Sequence, residues 1–304
     1  MSTARNSAPP AAGAPLEAWF RHAERRFRAG RLAYGHGTSN ATDEAAFLVL
    51  EALGLPIQRL DPWLALRPSA PERRKLARLI EARVTTRQPL PYLLGTAYLH
   101  GIRFRSDPRA LVPRSYLADL LVSDALPFAD GAKVRRVLDL CTGSGCLAVL
   151  AALIFPRAKI DAVDLSADAL SLARENVALH RLGERIALHR GDLFEPVATR
   201  RYDLILCNPP YVDAAGMARL PPEYRHEPSL GLASGADGLD FTRRLLAEAR
   251  NRLMPGGALL CEVGRAGTTL QTVFPTLPFL WLDTANSEGE VFWLQREQIV
   301  AGNA

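Results

Sequence analysis

Residues 134–164 read V-R-R-V-L-D-L-C-T-G-S-G-C-L-A-V-L-A-A-L-I-F-P-R-A-K-I-D-A-V-D. The apolar run from Val134 to Leu140 predicts a buried strand, and Lys159 to Val163 predicts another. Between them, Gly145 to Phe155 is long and apolar enough for a helix. A helix that connects two short buried strands is typical of a crossover unit, in which the strands run parallel.

The same alternation continues towards the C-terminus. Ser166 is a suitable N-cap for a helix that runs to about Leu179. Further strands are predicted at Ile186 to His189, Tyr202 to Cys207 and Ala258 to Val263, with a final antiparallel pair at Phe279 to Leu282 and Val291 to Leu294. Repeated βα units of this kind predict an α/β fold with a doubly wound, Rossmann-like parallel sheet, which binds ligands at the carboxyl ends of its strands.

The N-terminal part has a different pattern, typical of a small helical domain. Helical spacing runs from Leu16 to about Arg87, and Ser69 with Glu72 forms a candidate capping box. Pro89 and Pro91 break that pattern, and Tyr92 to Phe104 fits a β-hairpin. A helix from about Ser115 to Ala125 follows. We therefore expect a disordered tail at 1–15, a helical substrate-recognition domain at 16–88, a hairpin linker at 89–112 and the α/β domain at 113–304.

Composition excludes several classes of protein. The chain has 304 residues, of which 48% are hydrophobic and 23% charged, as expected of a globular protein with a sizeable core. Its net charge of +5 is modest. The four cysteines form no C-x-x-C pair and the histidines are scattered, so we expect reduced thiols and no metal site. The first fifteen residues lack the apolar core of a signal peptide, and no apolar run reaches membrane-spanning length, so we expect a cytoplasmic location.

Acidic residues and glycines end the predicted strands. Asp139 is followed by Gly143 and Gly145, in a turn that is neither G-x-G-x-x-G nor a phosphate-binding loop. Asp164 lies 25 residues later, where a carboxylate can bind ribose hydroxyls, and Asp192 could meet an adenine amino group. Ordinary turn and N-cap roles explain each residue alone. Together they predict a site for S-adenosylmethionine, with Asp139 near its ammonium group.

Residues 208–211, N-P-P-Y, follow the predicted strand that ends at Cys207. The Asn208 side-chain oxygen and the Pro209 carbonyl could accept both N–H groups of a planar amide or amino group. As such a nitrogen is methylated it gains positive charge, so fixed acceptors favour the transition state. Stiff prolines limit reorganisation, and Tyr211 offers a ring face to the planar group. A plain proline turn is the simpler alternative.

The two motifs behind a helical domain and a hairpin resemble the bacterial protein-glutamine N(5)-methyltransferases, over roughly residues 16–297. Three stretches are similar to the branch that modifies the 50S ribosomal protein uL3: Y-G-H-G-T at 34–38, L-V-P-R-S at 111–115 and E-Y-R-H-E-P-S-L-G-L-A-S-G at 223–235. The resemblance implies a methyltransferase that uses S-adenosylmethionine, acts on a glutamine in a protein, and does not require nucleic acid or a membrane.

The resemblance also assigns site residues. It implies cofactor binding by Cys141, Thr142, Gly143, Ser144, Gly145, Asp164, Asp192, Leu193 and Asn208, and substrate binding by Asn208, Pro209, Pro210 and Tyr211, with Asn208 and Pro209 catalytic. Two positions depart from the pattern. Cys141 stands where the wider methyltransferase pattern has glycine, and Leu193 stands where the release-factor enzyme can carry an aromatic residue.

The long connection from Val212 to Asp237 is a candidate lid over the incoming glutamine, because long ordered loops are often functional. Its candidate substrate-reading residues are Glu223, Arg225, His226 and Glu227; an ordinary surface loop is the alternative.

Two other functions fit part of the pattern. One is methylation of an exocyclic amino group of a nucleic-acid base, which usually needs an added recognition domain or a dense basic face. The other is a non-catalytic binding module that keeps the fold.

Overall fold

The structure is a computed structural model that describes residues 8–123, 126–127 and 131–299. These residues form two compact units. One unit contains the residues up to Ala97 together with Pro221–His226, and the other contains Tyr98–Leu220 and the residues from Glu227 onward. Residues 1–7 of the predicted tail lie outside the described residues, whereas the Gly13 carbonyl accepts a 2.6 Å hydrogen bond from Arg67.

The first unit is helical, as its sequence pattern predicts. Its helices are α1 (Leu16–Ala29), α2 (Ala41–Ala52), α3 (Ala70–Thr86) and α4 (Leu90–Leu94). The predicted capping box is present at the start of α3, where Ser69 and Glu72 satisfy each other's backbone N–H groups. One apolar core joins α1, α2 and α3, and its fully buried members include Phe27, Leu48 and Ile80.

The prediction of a hairpin over Tyr92 to Phe104 is wrong at its start. Leu90–Leu94 forms the short helix α4, because prolines are compatible with the first turn of a helix, where no N–H is needed. The hairpin itself is shorter and consists of β1 (Thr96–Leu99) and β2 (Ile102–Arg105). His100 and Gly101 both have positive φ, as a tight two-residue hairpin turn requires.

The second unit contains the predicted Rossmann-like sheet. Its seven strands lie in the order β5-β4-β3-β6-β7-β9-β8. They are β3 (Arg136–Leu140), β4 (Lys159–Asp164), β5 (Ile186–Arg190), β6 (Tyr202–Cys207), β7 (Leu253–Glu262), β8 (Leu280–Trp281) and β9 (Val291–Gln295). The first five in that order are parallel, and β9 pairs antiparallel with both β7 and β8, which confirms the predicted final pair.

Apolar clusters cover both faces of the sheet, as the continuous apolar runs of its strands require. The helices of this unit are α5 (Tyr116–Val122), α6 (Cys146–Ile154), α7 (Ala167–Leu179), α8 (Ala214–Arg219), α9 (Asp240–Arg252) and α10 (Gly267–Val273). The predicted end of α5 near Ala125 lies outside the described residues. All four cysteines are free thiols, and Cys141 alone is not buried. None of the described helices is both long and apolar enough to cross a membrane.

The strand order determines where a ligand can bind. β3 pairs with β4 on one side and with β6 on the other, so the order of the strands reverses between β3 and β6. In the β3–β6 pairing Leu140 is level with Cys207, and in the β6–β7 pairing Cys207 is level with Cys261. The loops after these strands therefore begin at one edge of the sheet, at the switch point where open α/β sheets bind ligands.

Candidate active site

A cavity of about 400 Å³ lies at this edge of the sheet. That volume falls within the ~300–1,000 Å³ typical of small-molecule sites. Its walls combine the loops after β3, β4, β5 and β6 with residues 109–115 and parts of the segment 228–235. Most residues predicted from the sequence line it together: Cys141, Thr142, Gly143, Ser144, Asp164, Asp192, Leu193, Asn208, Pro209, Pro210 and Tyr211. Asp139 and Gly145 do not.

The turn after β3 has a left-handed backbone at three positions, Cys141, Gly143 and Gly145. Glycine adopts this conformation freely, whereas Cys141 costs ~1 kcal/mol there. A Cβ added to Gly145 would lie 3.1 Å from the Cβ of Ala173, so the glycine also allows α7 to approach closely. Gly145 therefore shapes the turn from behind the cavity wall.

Asp139 lies beneath this turn and is completely buried. One oxygen of its carboxyl group accepts a 2.5 Å hydrogen bond from the Thr142 hydroxyl and a 3.0 Å bond from the Ala148 N–H. The other oxygen, Oδ1, has no hydrogen-bond partner in the described part of the chain. Burial raises the pKa of Asp139 to about 7, although these hydrogen bonds oppose the rise.

Asp164 ends β4 and lines the cavity. Its Oδ2 accepts a 2.8 Å hydrogen bond from the Gly143 N–H, and its Oδ1 accepts one of the same length from the Ser166 N–H. Ser166 in turn caps α7 through Ala169, as predicted. Burial raises the pKa of Asp164, and the two backbone donors oppose that rise. The carboxylate is thus held in a fixed orientation by the turns after two adjacent strands.

Asp192 and Leu193 follow β5 on the next part of the wall. Asp192 is partly exposed and forms a 2.6 Å ion pair with Arg244 of α9, which also lines the cavity. Leu193 is 5% exposed and has a φ of 49°. The backbone of Leu193 is therefore held in a strained, left-handed conformation, and such strain is frequent at functional sites. Sequence reasoning missed Arg244, because no local motif marks it.

Residues 208–211 form the wall that follows β6, and Tyr211 is its most constrained member. The Tyr211 hydroxyl donates a 2.9 Å hydrogen bond to Glu262 at the end of β7. Burial and this carboxylate raise the pKa of Tyr211 well above its ordinary value. A Cβ added to Gly264 would lie 2.7 Å from the ring of Tyr211, so glycine is required there. Glu262 and Gly264 were not predicted from the sequence.

The segments 111–115 and 227–235 meet at the cavity. Arg114 donates two hydrogen bonds, of 2.5 and 2.6 Å, to the two carboxylate oxygens of Glu227, and the Val112 N–H donates a third of 3.0 Å. Glu227 is fully buried in this pair. A Cβ added to Gly231 would lie 3.1 Å from Leu111. The expectation that Glu227 reads the substrate is therefore wrong, because its carboxylate is already saturated by the protein.

Backbone bonds hold the rest of this segment against the loop after β6. The Val212 N–H donates to the Leu232 carbonyl at 2.8 Å, and the Ser234 N–H donates to the Val212 carbonyl at 2.9 Å. Gly238, with a φ of 81°, passes close to Tyr211, since an added Cβ would lie 2.4 Å from the Tyr211 carbonyl oxygen. These contacts form a wall of the cavity; whether it also closes as a lid stays a prediction.

The middle of the same connection, Pro221–His226, belongs to the helical unit. Glu223 is buried, accepts a 2.9 Å hydrogen bond from the Ala33 N–H and pairs with Arg87 at 2.7 Å. The expectation that Glu223 reads the substrate is wrong, because its side chain is fully buried and paired with Arg87 inside the helical unit. The His226 ring contacts the Thr86 carbonyl at 2.9 Å. Arg225 is exposed, and its role as a substrate contact stays a prediction.

Residues 34–38 surround this segment in the helical unit. The ring of His36 lies 4.4 Å from the ring of Tyr224, measured between centroids. Gly35 has a φ of 122°, and an added Cβ would lie 2.6 Å from the Tyr224 hydroxyl. Thr38 donates a 3.0 Å hydrogen bond to Glu44, which also accepts a 2.5 Å bond from the buried Arg83. The stretch Y-G-H-G-T is therefore shaped by its fit to residues 221–226.

Comparison with known proteins identifies the family. The methyltransferase small domain family matches residues 118–219. The chain is 51% identical to the ribosomal protein uL3 glutamine methyltransferase of Bradyrhizobium diazoefficiens over 91% of this chain and 89% of that protein. The chain belongs to the ribosomal protein uL3 glutamine methyltransferase family. Proteins of the same description from Bordetella pertussis and Burkholderia pseudomallei are 50% and 47% identical over 92% of this chain and 94% of each.

Membership of this glutamine methyltransferase family confirms the resemblance stated from the sequence. The protein is a methyltransferase, and S-adenosylmethionine is its methyl donor. The three stretches that resembled the uL3 branch are also explained structurally: residues 111–115 pair with Glu227, and residues 34–38 pack around Tyr224. These stretches shape two surfaces of the protein, one in each unit.

Proposed function

We propose that the protein methylates the side-chain amide nitrogen of a glutamine in ribosomal protein uL3. The proposal rests on the cavity at the switch point of the sheet, because Asn208–Tyr211 and the turn 141–144 line it together. The relatives at about 50% identity carry the same activity in their names. A protein, and not a membrane component, is the expected substrate class.

The cavity fits S-adenosylmethionine. The ligand has a zwitterionic amino-acid end with an ammonium group, and a ribose with two hydroxyl groups. Carboxylates can bind the ammonium group and the hydroxyl groups. Asp164 lines the cavity in a fixed orientation, and Asp139 keeps an orphaned buried oxygen beneath the turn. Because buried polar atoms are normally hydrogen-bonded, this unpaired acceptor is consistent with a donor supplied by a ligand. Bound here, the cofactor supplies an electrophilic methyl group on a sulfonium.

We assign the cofactor contacts accordingly. Asp164 would hold the ribose hydroxyls, and the turn 141–145 with Asp139 beneath it would hold the amino-acid end. Asp192 and Leu193 would lie along the adenine, where Leu193 offers apolar packing. Arg244 orients the Asp192 carboxylate through their ion pair. Asn208 would lie between the two ligands, with contacts to both.

The substrate nitrogen poses the chemical problem that the loop after β6 solves. An amide nitrogen is a poor nucleophile because its lone pair is delocalised. The Asn208 side-chain oxygen and the Pro209 carbonyl would accept its two N–H groups, and their fixed dipoles stabilise the positive charge that develops there. The two prolines keep the acceptors rigid, and the Tyr211 ring gives the planar amide a surface. A strong base is unnecessary, because the cationic product nitrogen is acidic enough to release its proton to water.

The helical unit supplies the choice of substrate in this proposal. The cofactor cavity is lined by few residues from this part of the chain. Of the helical residues 16–88 and the linker 89–112, only residues 109–112 line it. A ribosomal protein is itself basic, so bulk attraction to a chain of net charge +5 does not drive the encounter. Shape and individual acidic groups must select the partner. The proposal includes no nucleic-acid component.

The experiment is methyl transfer from labelled S-adenosylmethionine to purified uL3, to the other 50S proteins and to 23S ribosomal RNA. We expect label on one glutamine of uL3, located by mass spectrometry as the added mass of one methylene group. The N208A variant serves as the inactive control. Label on RNA without label on protein would instead support a base methyltransferase, and binding of the cofactor without any transfer would support a binding module.

A further inference from the structure

One carboxylate behind the active site has no part in the mechanism above. Glu262 ends β7 and is 1% exposed. It accepts three hydrogen bonds: from the Tyr211 hydroxyl at 2.9 Å, from the Ser115 hydroxyl at 2.7 Å and from the Tyr116 N–H at 3.0 Å. Tyr211 is 51 positions away from Glu262 in the chain and Ser115 is 147 away, so the network links the loop after β6, the start of α5 and the end of β7.

Stability alone is a poor explanation for this carboxylate. All three donors are neutral, and burial raises the pKa of Glu262. Burying an acid costs free energy that neutral donors offset only in part, and apolar residues often replace such groups without loss. A buried polar network does, however, fix the geometry of its members. Within this network, Tyr211 is the residue that belongs to the loop 208–211 and lines the cavity.

Two glycines also lie close to Tyr211, one against its ring and one against its backbone. Gly264 lies against the ring, where an added Cβ would come within 2.7 Å of Cε2. Gly238 lies against the Tyr211 carbonyl, where an added Cβ would come within 2.4 Å. Neither position can hold a side chain without a shift of Tyr211. The Gly264 backbone therefore confines one side of the ring, Gly238 confines the Tyr211 backbone, and Glu262 holds the hydroxyl end.

We propose that Glu262 is a positioning residue for methyl transfer, which acts by fixing the Tyr211 ring through the hydroxyl hydrogen bond. This inference rests on the proposed function, because the ring is the surface on which the planar amide lies. A displacement of about 1 Å at a reacting group can cost ~100-fold in rate. Ser115 belongs to the same network and also caps α5 through Leu117, so α5 is tied to the geometry of the ring.

The test compares E262Q, Y211F and the double variant with the wild type and with E288Q, a control at an exposed glutamate. The glutamine introduced by E262Q keeps the shape of the side chain but offers one acceptor oxygen in place of two. We expect kcat for uL3 methylation to fall by about 10- to 100-fold in each single variant, with the dissociation constant for S-adenosylmethionine unchanged. The double variant should be no slower than the slower single variant, because both changes remove one interaction.

Two kinetic results would overturn the inference. One is a wild-type kcat in E262Q, and the other is a rate loss in the double variant equal to the product of the single losses. A crystal structure of E262Q gives a readout that does not depend on the substrate: we expect a displaced or multiply oriented Tyr211 ring, and an unmoved ring would contradict us. Absence of label on uL3 with the wild-type enzyme would instead reject the proposed function, and the ring position would still decide the role of Glu262.

Discussion

Arg114 and Glu227, which are 113 residues apart in the chain, form a bidentate ion pair at the edge of the cavity. Glu227 is fully buried in it, and the side chain of Arg114 is 25% exposed. The Val112 N–H completes the set of donors to Glu227. The pair attaches the segment after residue 226 to the segment before α5. It thereby holds one wall of the active site.

Removal of Arg114 should destabilise the protein more than removal of both partners. R114Q leaves a buried carboxylate without its cation, which typically costs ~3–5 kcal/mol. E227Q/R114Q removes the charge as well, so we expect the double variant to recover about half of that loss in urea unfolding. Losses that simply add would show that the two residues do not depend on each other.

Gly264 should tolerate alanine poorly because of Tyr211. In G264A the new methyl group would lie 2.7 Å from the ring, on a backbone with a φ of 51°. We expect a loss of about 2–3 kcal/mol in unfolding free energy and a lower kcat. G256A is the matched control, because Gly256 has a φ of 73° and its added Cβ would meet nothing within 4 Å. Equal losses in the two variants would mean that backbone strain, and not the ring, explains the requirement for glycine.

The cofactor contact of Asp164 is tested by D164N. An amide can accept from one backbone N–H but presents a donor to the other, so both the turn and the ribose contact suffer. We expect the dissociation constant for S-adenosylmethionine, measured calorimetrically, to rise by about 10-fold or more, as for the loss of a charged hydrogen bond. D168N, at an exposed position in the first turn of α7, should leave it unchanged. Wild-type affinity in D164N would exclude Asp164 from the cofactor site.

Asp139 predicts a pH dependence of stability. Its pKa in the folded protein is about 7, raised by burial above the ordinary value of 3.8. The folded state therefore binds the proton more tightly, so stability without cofactor is greatest at low pH and falls as pH rises from about 4 to 7. D139N carries no charge and should lack this fall. The difference between the unfolding free energies of the two proteins should change by up to ~4 kcal/mol over that range, and a constant difference would refute the burial argument.

Local patterns in the sequence predicted the sheet and the loops after β3, β4, β5 and β6 that contribute to the cavity wall. The strands before Asp164 and Asn208 are short apolar runs, and the loops after parallel strands necessarily meet at one edge. For this reason the residues of two separate motifs could be predicted to line one cavity. Helix caps such as Ser69 and Ser166 were predictable because capping depends on residues close by in the chain.

The features that were missed depend on partners far apart in sequence. Glu262 contacts Ser115 across 147 residues, and Glu223 contacts Ala33 across 190. No periodicity encodes such pairs. The acids at 223 and 227 looked like surface groups because charged residues are mostly exposed, whereas arginine and backbone donors hold them inside. Asp139 was predicted to contact the cofactor, whereas its carboxyl group is buried beneath the turn after β3 and does not line the cavity.

Single-turnover methylation of uL3 by N208A measures directly whether Asn208 accepts a hydrogen bond from the substrate amide in the transition state. We expect the rate to fall by about 100- to 1,000-fold, the usual cost of losing one fixed group that stabilises developing charge. The affinity for S-adenosylmethionine should fall by a much smaller factor than the rate, because Asn208 is only one of several assigned cofactor contacts. N286A, at an exposed asparagine, should react at the wild-type rate. A wild-type rate in N208A would show that Asn208 does not stabilise the developing charge on the substrate nitrogen.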